Sequence, residues 1–148
     1  MTAMDELGIS VLPRDMFRVA SEIAQAKADF AKQSGRGRDL PTALFCECDY
    51  IAIGVMQSLR EAGIRVPEDV SVMGFDNVAE AVIVEPALST MSVPRDRIGE
   101  VAVRHLIHMC DSGEIHYMKS LINTAVVSRA SCAPRNSGAP RAAEAAAT

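Results

Sequence analysis

No cluster of Lys and Arg forms a basic stripe in this chain, whose formal net charge is −4 and whose sequence pI is near 5.3. That balance gives no general attraction to phosphate backbones, so nothing in the sequence reads as a nucleic-acid surface. No segment approaches the roughly eighteen apolar residues of a membrane span. The opening residues, MTAMDELGIS, lack the basic start and apolar run of a secretory signal. A cytoplasmic chain with no membrane partner is expected. Cysteines are few: Cys46 and Cys48 lie two apart, Cys110 and Cys132 lie far from them, and all four are expected to stay reduced in that compartment. No internal repeat is visible.

The chain also lacks the constellations that carry catalysis. There is no Gly-x-Ser-x-Gly elbow, and no Cys has an evident His partner in a turn. Asp49 and Asp76 at two strand ends invite comparison with a phosphorylated receiver domain. That fold wants an acidic pair on its first strand and a Lys on its last, and Leu121 to Val127 contains no Lys. His105 and His108 share a helix face with Cys110 nearby, but no second cluster supplies further ligands, so no metal site and no cofactor are expected. The chain reads as a binding module and not as an enzyme.

What is present is enough for a sizeable core: 148 residues, 49% of them apolar, suit one domain of ordinary size. Met1 to Leu7 reads as the end of a helix closed by Gly8, followed by an early apolar strand around Phe17 to Val19. Ser21 is placed to cap a helix carrying Ile23, Ala26 and Phe30 at three- and four-residue steps, and GRGRD at 35 to 39 is a loop. A buried strand is predicted over Thr42 to Cys46. Asp49 is then placed to cap a helix over Tyr50 to Ala62, with Ile51, Val55 and Leu59 on one face and Gly63 at its end. A short helix over Val78 to Val84, a strand over Ser89 to Val93, a helix from Pro94 to Cys110 and a last strand over Leu121 to Val127 complete the pattern. Alternating strands and helices predict an α/β fold with a mostly parallel sheet flanked by helices.

The most informative stretch is Val66 to Asn77, VPEDVSVMGFDN. It joins a Pro-led turn, an apolar strand and a carboxylate at the strand's carboxyl end. In an open α/β sheet the crevice beyond those ends is where small ligands bind, which makes Asp76 and Asn77 the leading polar candidates. The competing assignment for Asp76 is a turn or helix cap formed with Asn77.

Together with PTALFCECDYIAIGVMQSLREAGIR before it and EPALSTMSVPRDRIGEVA after it, this stretch resembles the effector-binding core of lactose-repressor-like bacterial transcription regulators. The resemblance runs from about Met4 to about Ala133 and is best defined over Pro41 to Ala102. It implies a partial periplasmic-binding-protein-like fold of type I, incomplete relative to the two hinged lobes of that family. Residues 1–92 would belong mainly to the carboxyl-terminal lobe, 93–120 to a helix of the other lobe, and 121–133 to the return crossover and last strand. Residues 134–148, mainly Ala, Pro, Arg, Gly and Ser, are expected to form a disordered tail. The helix from Pro94, apolar on more than one face, would then lack its usual neighbours.

The resemblance also implies roles. Asp76 would face the effector cleft and accept hydrogen bonds from a small, sugar-like molecule. Cys48 and Asp49 stand where the family usually has Asn then Asp, and a thiol is a poor substitute for an amide that pairs with a polyol. Phe17 and Arg18 would flank the ligand from the early strand, with ordinary packing for Phe17 as the competing assignment. Ile53, Met56, Val82 and Val84 are the candidates for a homodimer contact, against burial inside the lobe. Operator DNA would be met only through a helix-turn-helix headpiece that these residues do not include. The second reading, from the same fold, is a fragment of a sugar-binding protein of a transport system.

Overall fold

The computed structural model describes residues 3–8, 11–35, 39–113 and 117–134. Its elements are α1 (Ala3–Glu6), α2 (Ile23–Ser34), β1 (Ala43–Phe45), α3 (Asp49–Glu61), β2 (Ser71–Asp76), β3 (Ser89–Ser92), α4 (Arg95–Ser112) and β4 (Ala125–Val127), with single 3-10 turns at Pro13–Asp15 and Ala79–Val82. The strands form one sheet in the order β1-β2-β3-β4. β1, β2 and β3 run parallel, Leu44 opposite Val72 and Gly74 opposite Thr90, while β4 runs antiparallel to β3 with Thr90 opposite Val127. This is the expected α/β architecture with a mostly parallel sheet.

The core lies where α2 and α3 pack on each other and on the sheet. α3 turns a broad apolar surface inward, and Ile51, Ile53, Val55, Met56 and Leu59 are all buried, joined by Ala26 and Phe30 of α2, Val70 and Val72 of the β2 segment, and Leu88. Gly54 sets the helix–helix distance. A Cβ there would lie 2.5 Å from the Ile23 carbonyl oxygen and 2.9 Å from the Ala26 Cβ, so only glycine permits this approach.

Several local expectations are corrected. Residues 16–20 form no strand; Phe17 instead stacks on Phe30 with ring centroids 4.8 Å apart at 48°. Ser21 does not cap α2, because Glu22 holds the cap position without a side-chain bond. The segment before α2 is tied down by polar contacts instead: the Arg18 N–H donates to Gln33 Oε1 at 3.1 Å, and Gln33 Nε2 returns a bond to the Arg18 carbonyl at 2.7 Å. The last strand is short, since only residues 125–127 pair. The stretch beyond it is bound at the amino ends of β2 and β3, where the buried Ser131 hydroxyl accepts the Ser89 N–H at 2.8 Å and donates to the Val72 carbonyl at 2.6 Å.

α4 stands apart. None of its residues is buried, and Ile98, Val103, Leu106 and Ile107 are between 43% and 56% exposed. The expected disordered tail falls, but for residue 134, outside the described residues.

Candidate functional site

The carboxyl ends of β2 and β3 are organised by one buried carboxylate. Asp49 is fully buried in the first turn of α3; its Oδ2 accepts the Val78 N–H at 2.8 Å and its Oδ1 accepts the Thr90 hydroxyl at 2.5 Å. Cys48, not Asp49, occupies the cap position, and no side chain caps α3. The capping and ligand-contact roles expected of Asp49 are both replaced by a structural one: it cross-links the turn after β2 to the middle of β3. Gly74 makes room for it, since a Cβ on Gly74 would collide with Asp49 Oδ1 and lie 3.1 Å from Leu88 Cδ2. A glycine inside a strand pattern marks a close approach of this kind without naming the group that approaches.

Above this cross-link the chain turns through two consecutive non-glycine residues at positive φ, Asp76 at 108° and Asn77 at 56°. The turn brings Asp76 to the rim of an open depression of about 710 Å³, bordered also by Tyr50, Asn77, Ser92, Arg95 and Arg97. The Asp76 backbone carbonyl accepts a short hydrogen bond from Arg95 Nη2. Asn77 is held on three sides: its Oδ1 accepts from Arg129 Nη2 at 2.6 Å, its Nδ2 donates to Ser92 Oγ at 3.4 Å and its N–H to Thr90 Oγ1 at 3.4 Å. Chemically, the depression offers the carboxylates of Asp76, Glu80 and Asp96, the guanidiniums of Arg95 and of Arg97, the latter paired with Glu100, a hydroxyl and one aromatic ring, a set suited to a small polar ligand with an apolar face.

Of the five ligand candidates, only Asp76 borders this depression. Cys48 is half-buried against the core. Phe17 is committed to Phe30, and the exposed Arg18 lies by α2. Neighbouring Cys46 is an inert core thiol, pushed up to about 12 by burial, with Cys48 and Asp49 adding to the shift. Two of the four interface candidates are also corrected: Ile53 and Met56 are only 2% and 5% exposed, because they share the face of α3 that carries Asp49 and packs on the sheet. Val84 is half-buried on the core, and Val82 is exposed beside Ile83, which pattern reading passed over. Tyr50, Arg95 and Arg129 were missed as well. Tyr50 and Arg95 share a place at a helix start beside the carboxyl ends of the strands, and Arg129 reaches Asn77 from the amino end of β3; both relations become visible only once the strands are ordered. Among the described residues no group of three or more His, Cys, Asp or Glu could hold a metal ion, and no helix is long and apolar enough to cross a membrane.

A mostly parallel open sheet gathers these polar groups beyond its strand ends, the position at which open α/β sheets bind ligands. Comparison with known proteins narrows the class: the periplasmic binding protein-like domain family matches residues 2–132, and the chain belongs to that family. The HTH-type transcriptional regulator RegA of Clostridium acetobutylicum is 40% identical over 90 residues, covering 61% of this chain and 27% of RegA. The HTH-type transcriptional repressor PurR of Serratia proteamaculans is 37% identical over 115 residues, covering 72% of this chain and 31% of the repressor. Among solved structures, a sugar-binding transcriptional regulator of the LacI family from Escherichia coli, complexed with phosphate, superposes with a TM-score of 0.76 at 32% identity, over 89% of this chain and 47% of that one. The chain thus spans under a third of the length of these two curated relatives and about half of this solved one. The relatives are transcriptional regulators, in agreement with the resemblance carried by VPEDVSVMGFDN.

Proposed function

We propose that this chain is part of the effector-sensing domain of a LacI-type transcription regulator, and that Asp76 is the anchor for a small, sugar-like effector. One observation carries the reading: the left-handed turn sets the Asp76 side chain at the rim of the depression, and its carboxylate accepts no hydrogen bond from any described residue. An ionised acceptor with two free oxygens beside guanidinium donors is complementary to vicinal hydroxyls. The chain acts by binding and not by catalysis, in the cytoplasm. α4 belongs to a second lobe facing this one, a role supported by its apolar, uncovered surface. Val82, with Ile83, supplies part of a homodimer contact, and operator DNA is read by a headpiece outside these 148 residues. The regulator reading is preferred over a transport protein because the matched relatives named above are regulators.

The test is a titration of the isotope-labelled chain with ribose, lactose and cellobiose, followed by amide chemical shifts. Binding to one wall of a cleft is expected to be weak, with Kd on the order of millimolar, and to move the amides of Asp76, Asn77 and Arg95. Asp76→Asn should weaken it about tenfold or more, the loss of charge-assisted hydrogen bonds. Shifts centred elsewhere, or equal binding by Asp76→Asn, would rule out Asp76 as the anchor.

A further inference from the structure

Two consecutive residues with Cβ atoms at positive φ persist only where the surroundings hold them. The group that holds this turn comes from the far end of the described chain. Arg129, two residues beyond β4, donates from Nη2 to Asn77 Oδ1 at 2.6 Å and from Nη1 to the Leu88 carbonyl at 2.6 Å, while its backbone N–H donates to Ser89 Oγ at 2.9 Å. The two guanidinium bonds are charge-assisted and much shorter than the 3.4 Å contacts Asn77 makes to Thr90 and Ser92. A planar guanidinium that engages two acceptors fixes their separation, which the point charge of a lysine does not. Arg129 therefore spans from the start of β3 to the turn that follows β2, and it does so from the segment whose Ser131 is pinned between Val72 and Ser89.

We infer that Arg129 is the positioning residue of the site: it locks the Asp76–Asn77 turn and thereby couples effector occupancy at Asp76 to the placement of the segment after β4. The functional half of this inference rests on the reading of Asp76 given above; the mechanical half does not. Coupling between two positions is reciprocal, so a ligand that engages Asp76 steadies the 129–131 segment to the same degree that the segment steadies the turn.

Amide hydrogen exchange on the full 148-residue chain separates the two halves. In Arg129→Ala, and in Arg129→Lys where the alanine variant does not fold, exchange at Asn77 and Val78 should quicken about tenfold or more, while Val55 and Leu59 in α3 change little. On an Asn77→Ala background the same Arg129 substitutions should add little at Val78, because the shared bond is already gone. Unchanged exchange at Asn77 and Val78, or an equal rise throughout α2 and α3, would overturn the positioning role. A sugar titration is run on the same variants. No sugar binding alongside the local exchange effect would defeat the proposed function and leave Arg129 as a positioning residue; sugar binding unaltered by Arg129→Lys would defeat the coupling.

Discussion

At the scale of single residues, Asp49 is the most consequential group in the molecule. It is a fully buried carboxylate whose stability within the fold depends on two hydrogen-bond donors, the Val78 N–H and the Thr90 hydroxyl. Asp49→Ala leaves both donors without their acceptor, and a loss of about 3 kcal/mol is expected, measured by urea denaturation. A destabilisation below about 1 kcal/mol would show that the carboxylate is no more important than a surface ion pair. Asp69 behaves differently. The Arg65 side chain, in a paired contact at 2.7 and 2.9 Å, holds its carboxyl below the ordinary range. A carboxyl depressed on folding stabilises the native state above its unfolded pKa, and that contribution disappears as pH falls through the lower native value. Unfolding followed from pH 6 down to pH 2 should therefore show a small acid-side loss that Asp69→Asn removes. Asp76 was legible in the sequence because it ends an apolar strand. The role of Asp49 was not: a residue before a helix reads as a cap, and only the fold brings Thr90 and Val78 to it.

At the scale of elements, the contact of α2 with α3 is the main helix packing in the chain, and Gly54 is its closest point. Gly54→Ala forces the backbone of α2 outward, and a loss of about 1–3 kcal/mol is expected, together with near-unchanged helix content by circular dichroism. A neutral result would mean the two helices can separate without cost. The periodicity of Ile51, Val55 and Leu59 was enough to place α3 within a residue or so of its observed bounds. It was not enough to show how wide its buried face is. The face of α3 that packs on the sheet with Asp49 buries Ile53 and Met56 as well, four and seven residues further on, and their apolar character, which in a sequence resembles an interface, is explained by that packing. The strand expected at Phe17 failed for a related reason: no strand lies on the open side of β1 among the described residues, and Phe17 gains more by packing on Phe30.

At the scale of the whole molecule, the apolar surface is unevenly covered. α4 presents Ile98, Val103, Leu106 and Ile107 to solvent, and Tyr117, Met118 and Leu121 are exposed in the stretch that follows. Each large side chain left wet forgoes about 1.5–3 kcal/mol, a heavy charge against the about 5–15 kcal/mol that holds a typical domain together. Sedimentation velocity on the chain alone should therefore show concentration-dependent self-association, reduced when Ile98 and Leu106 are replaced by Lys. A monomer at all concentrations with a sharp melt would show that these residues are covered in solution by other parts of the same chain.

The sequence by itself determined the α/β class, the parallel order of turn, strand and helix from Pro41 to Pro94, and the carboxylate at the end of β2. These follow from local rules, since hydrophobic period and turn residues act over a few positions. Only the tertiary structure decided what surrounds that carboxylate. Asp49, Thr90, Arg95 and Arg129 lie in α3, β3, α4 and the segment after β4, as much as 80 positions apart, and their convergence on the turn after β2 depends on strand order and on the antiparallel return of β4. Long-range hydrogen bonds of this kind leave no periodic trace in a sequence, because each partner is chosen by the fold and not by its neighbours in the chain.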